Sequence, residues 1–353
     1  MLISQTPFRM SFLGGGTDHR NYFEKYGGSV LSTTIDKYCY VVIRDLPPFF
    51  EYKNQVTYSK IERFNDPDEV QHPLIREALK YLNVKNVHIM YDADLPARSG
   101  LGTSSSFAVG LLNGLHSLKG DFVDKMTLAE EAIYLERDLC NEIGGVQDQL
   151  AASFGGLNRM TFTSLGYDVR PVIISPQRKK ELNDHLMLFF TGFERFSGEI
   201  AKEQKANTEA NLKQLHEMAK LVDEGERILT TGRSILDFGR LLDYTWKLKR
   251  TLSSKITTGL IDNLYAKAIK AGAIGGKLLG AGGGGFILLF VEPDKQCKVK
   301  KALYDLLNVP FQFETSGTKV IYYKPNIKEI GVVYNEKKGA DYRHDRDGRI
   351  ASR

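Results

Sequence analysis

The stretch PARSGLGTSSSFAVG, from Pro96 to Gly110, places two glycines and four hydroxyl residues directly before an apolar segment. The apolar run from Phe107 predicts a buried helix, so the hydroxyl residues would lie at its N-terminus. There the unpaired N–H groups and the positive end of the helix dipole favour an anion, and Gly100 and Gly102 let the backbone close around it. We therefore predict a phosphate-binding loop. A serine-capped helix after a Pro-Gly turn would explain the same pattern without any ligand.

This loop follows neither of the two common nucleotide-binding glycine motifs. No Gly-Lys-Ser/Thr follows the glycines, as a Walker A loop requires. Ser105 stands where the dinucleotide-binding fingerprint has its third glycine. The sequence therefore predicts a phosphate loop of a different type.

Two further glycine clusters accompany the loop. GKLLGAGGGGF, from Gly276 to Phe286, places glycines between two strand-like apolar runs, which favours a loop that approaches a ligand over a flexible linker. PFRMSFLGGGTD, from Pro7 to Asp18, carries Arg9 on a strand-like run that breaks into glycines before Thr17 and Asp18. A hairpin turn would explain these glycines, but the close grouping of Arg9, Thr17 and Asp18 favours a site.

A pair of carboxylates completes the set. The segment TLAEEAIYLERDLCNEIGG predicts a helix that opens with a Thr127 and Glu130 capping box and ends at Gly144–Gly145. Glu136 lies on this helix and Asp148 follows it, so the two would converge if the chain reverses at the glycines. Phosphoryl transfer uses oxygen ligands for Mg²⁺ and a carboxylate near the attacking hydroxyl. Two alternatives stay open: Glu136 as a solvated surface acid, and Asp148 as the cap of the next helix.

The remaining pattern indicates two units. Strand-like runs cover Ser29 to Ile43 and Asn86 to Tyr91, and we place a domain boundary near Asp184. Long charged helices follow over residues 197–271. Numbered along the chain, the first glycine cluster lies in Pro7 to Asp18 and the third in Gly276 to Phe286. The two strands beside the third glycine cluster, a helix near 295–307 and a last strand at 320–323 predict a small layer with helices on one face of an antiparallel sheet.

Composition limits the class of protein. The chain has 353 residues, 42% hydrophobic and 26% charged, which allows a sizeable core and favours two domains. No apolar run reaches the roughly 18 residues of a membrane span, and no signal-peptide pattern opens the chain, so we expect a cytoplasmic protein. Cys39, Cys140 and Cys297 lie far apart in apolar segments, which predicts buried thiols rather than a disulfide framework or a zinc site. The net charge of +5 is dispersed, which argues against nucleic-acid binding and suits an anionic small substrate.

As a set and in this order, the three glycine clusters resemble the three motifs of the GHMP small-molecule kinases (galacto-, homoserine, mevalonate and phosphomevalonate kinases). The resemblance covers about residues 1–325. The GGGTD, GGVQDQ and GGKLLGAGGGGF segments are most similar to those of the D-glycero-D-manno-heptose 7-phosphate kinases. Those enzymes phosphorylate the anomeric hydroxyl of a sugar phosphate on the way to nucleotide-activated heptose, a bacterial surface-glycan precursor.

The resemblance implies a two-domain α+β fold. A domain like ribosomal protein S5 domain 2 would cover residues 1–184 and carry the phosphate loop and the catalytic aspartate. A ferredoxin-like domain would cover residues 185–325 and carry the glycine-rich loop, with the site in the cleft between the two. Residues 326–353 form a polar tail without a counterpart in the resemblance, and we assign it no role.

The resemblance also implies catalytic and nucleotide-binding roles. Asp148 would orient or deprotonate the acceptor hydroxyl, and Arg9 would steady the developing negative charge. The backbone of the loop would bind the nucleotide phosphates through Gly100, Leu101, Gly102, Thr103, Ser104, Ser105 and Ser106.

Two further implied roles concern the metal and the sugar. Ser104 and Glu136 would hold Mg²⁺, whereas Thr17 and Asp18 would contact sugar hydroxyls. The expected reaction is the ATP-dependent phosphorylation of the anomeric hydroxyl of D-glycero-D-manno-heptose 7-phosphate, with ATP and Mg²⁺ as cofactors. The alternatives are a fucokinase-like kinase of a free sugar and a non-catalytic relative that binds ATP and sugar.

A phosphorylated acceptor would need a second cationic pocket. Arg98, Lys247, Lys249 and Arg250 are candidates by charge alone, and the alternative is that WKLKR forms the solvated edge of a helix. We expect a small-molecule sugar phosphate and ATP as the only partners, without nucleic acid or membrane. The oligomeric state is left open, with a homodimer as one option.

Overall fold

The computed structural model describes residues 1–97, 99–192 and 197–324. Its larger sheet is built from the β-branched and aromatic runs of the first half of the chain and from two late strands. The nine strands are β1 (Leu2–Leu13), β2 (Gly28–Asp45), β3 (Asn54–Thr57), β4 (Ile61–Phe64), β5 (Val87–Ala93), β6 (Asn158–Thr163), β7 (Gly166–Pro171), β12 (Phe313–Glu314) and β13 (Lys319–Tyr323). The long strand β2 is central because it pairs with β1, β5, β6 and β12. Strands β3 and β5 run parallel, whereas the other pairs are antiparallel.

The smaller sheet is the antiparallel layer that the sequence predicts for the second unit. Its strands are β8 (Leu186–Phe190), β9 (Ala273–Leu278), β10 (Phe286–Val291) and β11 (Leu307–Val309). They lie in the order β11-β8-β10-β9. The two strands predicted around the third glycine cluster are β9 and β10, so that prediction is confirmed.

The last strand has a different partner from the one expected. Strand β13 lies where the sequence predicts a strand, but it pairs with β1 in the larger sheet. Strand β12 likewise pairs with β2. Sequence patterns could not show this return, because strand periodicity identifies a strand but not its neighbour. We propose that the boundary after Asp184 still separates two units, since the second sheet begins directly after it.

Helices cover both sheets. In the first half they are α1 (Arg20–Tyr26), α2 (Pro73–Tyr81), α3 (Thr103–Lys119), α4 (Lys125–Tyr134), α5 (Gln147–Phe154) and α6 (Pro176–Asp184). The second half contains α7 (Ser197–Ala206), α8 (Leu212–Thr230), α9 (Leu236–Arg250), α10 (Gly259–Ala271) and α11 (Gln296–Ala302). Short 3₁₀ turns lie at Pro67–Glu69 and Pro293–Lys295, and a π-helical turn at Leu135–Leu139. The long helical region predicted over residues 197–271 is confirmed as α7 to α10.

The predicted helix around Glu136 exists, but its ends are wrong. Asp124, not Thr127, is the N-cap of α4, and its carboxylate accepts hydrogen bonds from the backbone of Met126 and Thr127. The helix then widens into the π-helical turn and stops at Cys140, before Gly144. Asn141 follows with φ of 54°, and this left-handed residue ends the helix.

One hydrophobic core connects the two sheets. Phe12 of β1 is fully buried and packs edge-on against Phe238 of α9, with ring centroids 5.5 Å apart. Phe290 of β10 belongs to the same buried cluster. Because β1 carries Arg9 and α9 carries Lys249, this shared core holds charged residues from both halves of the chain beside one cavity.

Two other expectations concern the surface. Cys39 is buried as predicted, but Cys140 is only partly buried and Cys297 is exposed on α11, so the prediction of three buried thiols is wrong. Within the part of the chain that the structure describes, every helix is too short or too polar to cross a membrane. The tail over residues 326–353 lies outside the described residues.

Candidate active site

The three glycine clusters meet at one cleft, which encloses a cavity of about 200 Å³. The first cluster contributes Gly15 and Gly16 to its wall, and the phosphate loop contributes Gly100 and Gly102. The third contributes glycines between residues 280 and 284. The structure therefore brings together segments that lie roughly 270 residues apart.

The predicted phosphate loop turns the chain into the N-terminus of α3. Gly100 and Gly102 have φ values of 85° and 74°, a region that residues with a Cβ rarely adopt. Gly102 is the N-cap of α3, so no side chain caps this helix and the serine-capped alternative is wrong. The first turn points its residues Thr103, Ser104 and Ser105 at the cavity. This arrangement can bind an anion through the helix N-terminus.

Two residues of the predicted loop face away from the cavity. Leu101 is buried in the core, and its carbonyl accepts a hydrogen bond of 3.0 Å from the Arg9 N–H. The Ser106 N–H donates to Gly102 O at 2.9 Å and its hydroxyl donates to Pro7 O at 2.9 Å. We therefore correct the role of Ser106, whose N–H is engaged within α3, to a residue that attaches the loop to β1. Leu101 also attaches the loop to β1 through its carbonyl, and its N–H stays a proposed phosphate contact.

The third glycine cluster packs directly on the phosphate loop. A Cβ on Gly280 would lie 2.5 Å from the Gly100 Cα, and one on Gly100 would lie 2.5 Å from Leu279 O. Only glycine allows the two backbones to approach this closely. The Gly283 N–H also donates to Ile256 O at 2.9 Å. The linker alternative is therefore wrong, and the cluster is a fixed part of the cleft.

Arg9 and Asp148 form a two-bonded ion pair beside the loop. The Arg9 Nε and Nη2 groups donate to the two carboxylate oxygens of Asp148 at 2.8 and 2.7 Å, and Nη1 donates to Gly100 O at 2.7 Å. Their side chains are 6% and 22% exposed. A Cβ on Gly102 would lie 3.4 Å from Asp148 Oδ2, so the carboxylate is adjacent to the predicted phosphate site. Val146 is the N-cap of α5, so the alternative in which Asp148 caps this helix is wrong.

Asp18 lies on the same wall, held by donors from two segments. Its Oδ1 accepts from the Gly16 N–H at 2.9 Å, and its Oδ2 accepts from Gln147 Nε2 at 2.9 Å. A Cβ on Gly145 would lie 1.8 Å from Oδ2, so the GGVQDQ segment needs glycine where it passes this carboxylate. The Arg137 guanidinium holds the same segment by donating to Gly145 O at 2.8 Å.

Thr17 does not face the cavity. Its single hydroxyl proton is shared between Gly14 O at 2.8 Å and Ser29 O at 2.9 Å, and the side chain is fully buried. A contact with a sugar hydroxyl would have to break these bonds. We therefore assign Thr17 to the turn that positions Asp18, and not to the sugar.

Glu136 is buried, so the solvated surface alternative is wrong. Its side chain is 1% exposed, and its carboxylate accepts hydrogen bonds from the Ser105 hydroxyl at 2.7 Å and from Gln149 Nε2. The π-helical turn carries Glu136 to the cavity wall. Such turns are rare and are frequently found at functional sites.

The donor set fits Mg²⁺ chemistry. Mg²⁺ takes oxygen ligands and usually combines one or two protein carboxylates with substrate phosphates and water. Ser104 has an exposed side chain on the same wall as Glu136. Among the described residues, no group of three or more His, Cys, Asp or Glu side chains could hold a metal by itself. A metal at this place would therefore depend on Glu136, a hydroxyl and the nucleotide.

The wall contains polar residues that sequence reasoning missed, among them Ser11, Gln147 and Lys277. Ser11 lies two residues after Arg9 on β1, which puts it on the same face of the strand. Within the described part of the chain, its hydroxyl and the Gln147 Oε1 have no hydrogen-bond partner. The available signal for Lys277 was a single charge inside an apolar strand-like run.

The four basic residues considered for a distal phosphate differ in their exposure and in their ion pairs. Lys247 is 66% exposed and pairs with Asp243, as the solvated-edge alternative expects. Arg250 pairs with Asp262 at 2.8 Å. Lys249 is only 6% exposed and lines the cavity, so for this residue the solvated-edge alternative is wrong. Arg98 lies outside the described residues.

Two relatives of known sequence are similar to this chain over most of its length. The chain is 31% identical over 322 residues to the D-glycero-alpha-D-manno-heptose 7-phosphate kinase of Campylobacter jejuni, which covers 85% of this chain and 92% of the relative. It is 27% identical over 351 residues to the L-fucokinase/L-fucose-1-P guanylyltransferase of Bacteroides fragilis; this match covers 85% of this chain but only 35% of that protein.

Solved structures of kinases superpose on this chain over most of its length. A D-glycero-D-manno-heptose 1-phosphate kinase from Bacteroides thetaiotaomicron superposes with a TM-score of 0.76 at 25% identity, over 92% of this chain and 100% of the other. A mevalonate kinase superposes with a TM-score of 0.67 at 20% identity, over 89% and 99%, which shows the shared fold. The family model of the GHMP kinases N terminal domain matches residues 73–156, and that of the GHMP kinases C terminal domain matches residues 218–308. With both models in order and a relative this similar over most of its length, the chain belongs to the GHMP kinase family.

Proposed function

We propose that the protein is a sugar 1-kinase that transfers the terminal phosphoryl group of ATP to the anomeric hydroxyl of D-glycero-D-manno-heptose 7-phosphate. The product would be the 1,7-bisphosphate, an intermediate of nucleotide-activated heptose synthesis in the cytoplasm. The relatives support an ATP-dependent sugar kinase of the GHMP family. The observation that carries the proposal is the Arg9–Asp148 pair, which lies against the phosphate loop in the wall of the cavity.

The nucleotide phosphates would bind at the N-terminus of α3. There the backbone of Gly102 to Ser105 and the helix dipole favour negative charge. Because the third glycine cluster packs on the loop, the loop is preorganised and need not close around the ligand.

Asp148 would act on the acceptor. A carboxylate adjacent to the phosphate loop can orient a hydroxyl and accept its proton as the oxygen attacks phosphorus. The bound Arg9 fixes the rotamer of Asp148 and places positive charge near the transferring group. Asp18, Ser11 and Gln147 would bind sugar hydroxyls, since their polar atoms line the same cavity.

Mg²⁺ would neutralise the phosphate oxygens during transfer. We propose Ser104 and Glu136 as its protein ligands, with Ser105 and Gln149 holding the Glu136 carboxylate in place. Calorimetric titration with ATP should show tighter binding in the presence of Mg²⁺ for the native protein, and Glu136→Gln should remove this difference. An unchanged effect of Mg²⁺ in the variant would contradict the assignment.

The direct test is product formation. The protein is incubated with Mg-ATP and D-glycero-D-manno-heptose 7-phosphate, and in parallel with mannose, fucose and galactose, and phosphorus NMR identifies the product. A new anomeric phosphate on the heptose alone is expected. Product from a free sugar would instead favour the fucokinase-like alternative, which the similarity to the Bacteroides fragilis protein motivates.

The binding-only alternative is tested by Asp148→Asn. This change removes the proton acceptor but keeps the side-chain size, so turnover should fall by orders of magnitude while the affinity for ATP changes little. If turnover stayed within about tenfold of the native value, Asp148 would not have the proposed role.

A further inference from the structure

Lys249 and Lys277 are buried ammonium groups in the wall of the cavity. Lys249, near the end of α9, is 6% exposed, and Lys277 on β9 is 1% exposed. The Lys277 ammonium group donates to Phe12 O at 2.9 Å, and that of Lys249 donates to Gly280 O. An ammonium group has three donors. Each lysine therefore has donors beyond the one that the backbone carbonyl uses.

Neither lysine has a carboxylate partner within residues 1–97, 99–192 and 197–324. The nearest acids are already occupied: Asp148 accepts two hydrogen bonds from Arg9, and Asp18 accepts from Gly16 and Gln147. A buried cation without a counterion is unfavourable, because protein groups do not replace its lost hydration. An anion in the cavity would compensate both lysines at once.

The pKa shifts of the two lysines are consistent with a site that an anion would compensate. Burial lowers the pKa of Lys249 to about 8, and the positive charge of Arg9 adds to the effect while Asp18 opposes it. Burial also lowers the pKa of Lys277 well below its usual value, with Lys249 and Arg9 contributing in the same direction. Four arginine and lysine side chains thus line one cavity: Arg9, Arg137, Lys249 and Lys277. Asp18 opposes the lowering of both lysine pKa values, and Asp148 opposes that of Lys249.

We propose that Lys249 and Lys277 form an anion subsite that binds a tetrahedral phosphate group between Asp18 and the Arg9–Asp148 pair. The inference deepens the proposed function and rests on it, because it takes the phosphate from one of the two proposed substrates. That phosphate is either the terminal phosphoryl group of ATP or the phosphate that the acceptor already carries. Both present the same three-oxygen face to ammonium donors.

The position of Arg9 is the reason that a second set of cations is needed. Its Nε, Nη1 and Nη2 groups are engaged by Asp148 and Gly100 O. Phosphoryl transfer develops charge on the equatorial oxygens, and preorganised donors stabilise it best. Lys249 and Lys277 are the buried cations of this wall with donors left for a ligand.

The test compares ligands that differ by one phosphate. Lys249→Met and Lys277→Met remove the charge but keep a long apolar side chain, and Lys247→Met is the matched control on the exposed face of α9. Isothermal titration calorimetry measures the affinities for ATP, ADP, D-glycero-D-manno-heptose 7-phosphate and D-glycero-D-manno-heptose. We expect each buried variant to bind one or both of ATP and the heptose 7-phosphate about 10- to 100-fold more weakly, with ADP and the free heptose unaffected.

The selective loss identifies the source of the phosphate. Loss with ATP alone assigns the subsite to the terminal phosphoryl group, and loss with the heptose 7-phosphate alone assigns it to the acceptor. The subsite is disproved if both variants bind all four ligands within twofold of the native protein, or if all four affinities fall together. If a methionine variant does not fold, Lys249→Gln and Lys277→Gln provide the same comparison.

Thermal unfolding adds a readout that separates ligand binding from a structural role. Since the variants remove an uncompensated buried charge, their Tm without ligand should equal or exceed that of the native protein. A lower Tm together with equal losses for all ligands would mean that the lysines only hold Phe12 and Gly280. The comparison of ATP with ADP also needs no sugar, so a subsite for the terminal phosphoryl group can be detected even if the proposed heptose substrate is wrong.

Discussion

At the scale of single residues, Arg9 and Arg20 show how burial changes the value of the same contact. Each makes a two-bonded ion pair with an aspartate, Arg9 with Asp148 and Arg20 with Asp138. The side chains of the first pair are 6% and 22% exposed, whereas those of the second are 42% and 37% exposed. Loss of one partner leaves a buried charge uncompensated only in the first pair.

This difference predicts unequal effects on stability. Arg9→Met should lower the free energy of unfolding by about 3 kcal/mol or more, because it leaves Asp148 with a partly buried charge. Arg20→Met should lower it by about 0–1 kcal/mol, as is usual for an exposed pair. Urea denaturation of the two variants and the native protein measures both values. Equal losses would show that burial does not decide the strength of these pairs.

A second prediction at this scale concerns pH. The pKa of Lys249 is lowered to about 8, mainly by burial, so the group is cationic below this pH and neutral above it. Arg9, Asp18, Asp148 and Lys277 face it; Asp18 and Asp148 raise this pKa, whereas Arg9 lowers it further. If Lys249 binds a phosphate, kcat/KM for the affected substrate should fall as pH rises through about 8. The arginine side chain stays charged, so Lys249→Arg should move this fall to higher pH, and an unchanged profile would contradict the role of Lys249.

At the scale of elements, the helix that carries Glu136 shows what sequence patterns capture. Helical periodicity predicts the helix correctly, although both of its ends differ from the prediction. The π-helical turn at Leu135–Leu139 has no pattern in the sequence, and in it Glu136 accepts hydrogen bonds from Ser105 and Gln149, which lie on two other helices. The burial of Glu136, which places its carboxylate in the cavity wall, was therefore not predictable from helical periodicity.

The start of the same helix gives a prediction. A Thr127 hydroxyl donates to the Asp124 carboxylate, and backbone N–H groups add to it, so the pKa of Asp124 is lowered from its usual 3.8. A lowered pKa in the folded state means that the stabilisation is present above the usual pKa and is lost as pH falls through the folded value. Asp124→Ala should thus lower Tm at pH 7, with a difference that shrinks toward pH 2. Asp121→Ala, an exposed acid that caps no helix, should show no such pH dependence, and a constant difference for Asp124→Ala would contradict the cap.

At the scale of the whole molecule, the glycine motifs predicted more of the fold than hydrophobic periodicity did. Three glycine clusters, each ambiguous alone, predicted a two-unit kinase fold, and the family matches confirm it. Periodicity placed β13 correctly but could not show that it returns to β1. Lys277 was missed for a related reason, since a charge in an apolar strand becomes meaningful only when the opposite wall of the cavity is known.

The same long-range packing predicts that the two halves unfold together. Phe12 of the larger sheet packs against Phe238 and Phe313 and shares a buried cluster with Phe290 of the smaller sheet. Trp246, the only tryptophan, lies buried on α9 and reports on the second half by fluorescence, whereas circular dichroism reports on the whole chain. We expect coincident urea transitions by the two probes.

Phe12→Ala tests the coupling itself. The change should lower the free energy of unfolding by about 3–5 kcal/mol and shift both transitions equally, because it opens a cavity in a core that both sheets share. Phe122→Ala, at a position that is 94% exposed, should shift neither transition appreciably. If the fluorescence transition kept its midpoint in Phe12→Ala while the circular dichroism transition moved, the halves would unfold independently. In that case the cleft would lie between two loosely coupled units, and its geometry could not be as preorganised as the packing of Gly100 on Gly280 indicates.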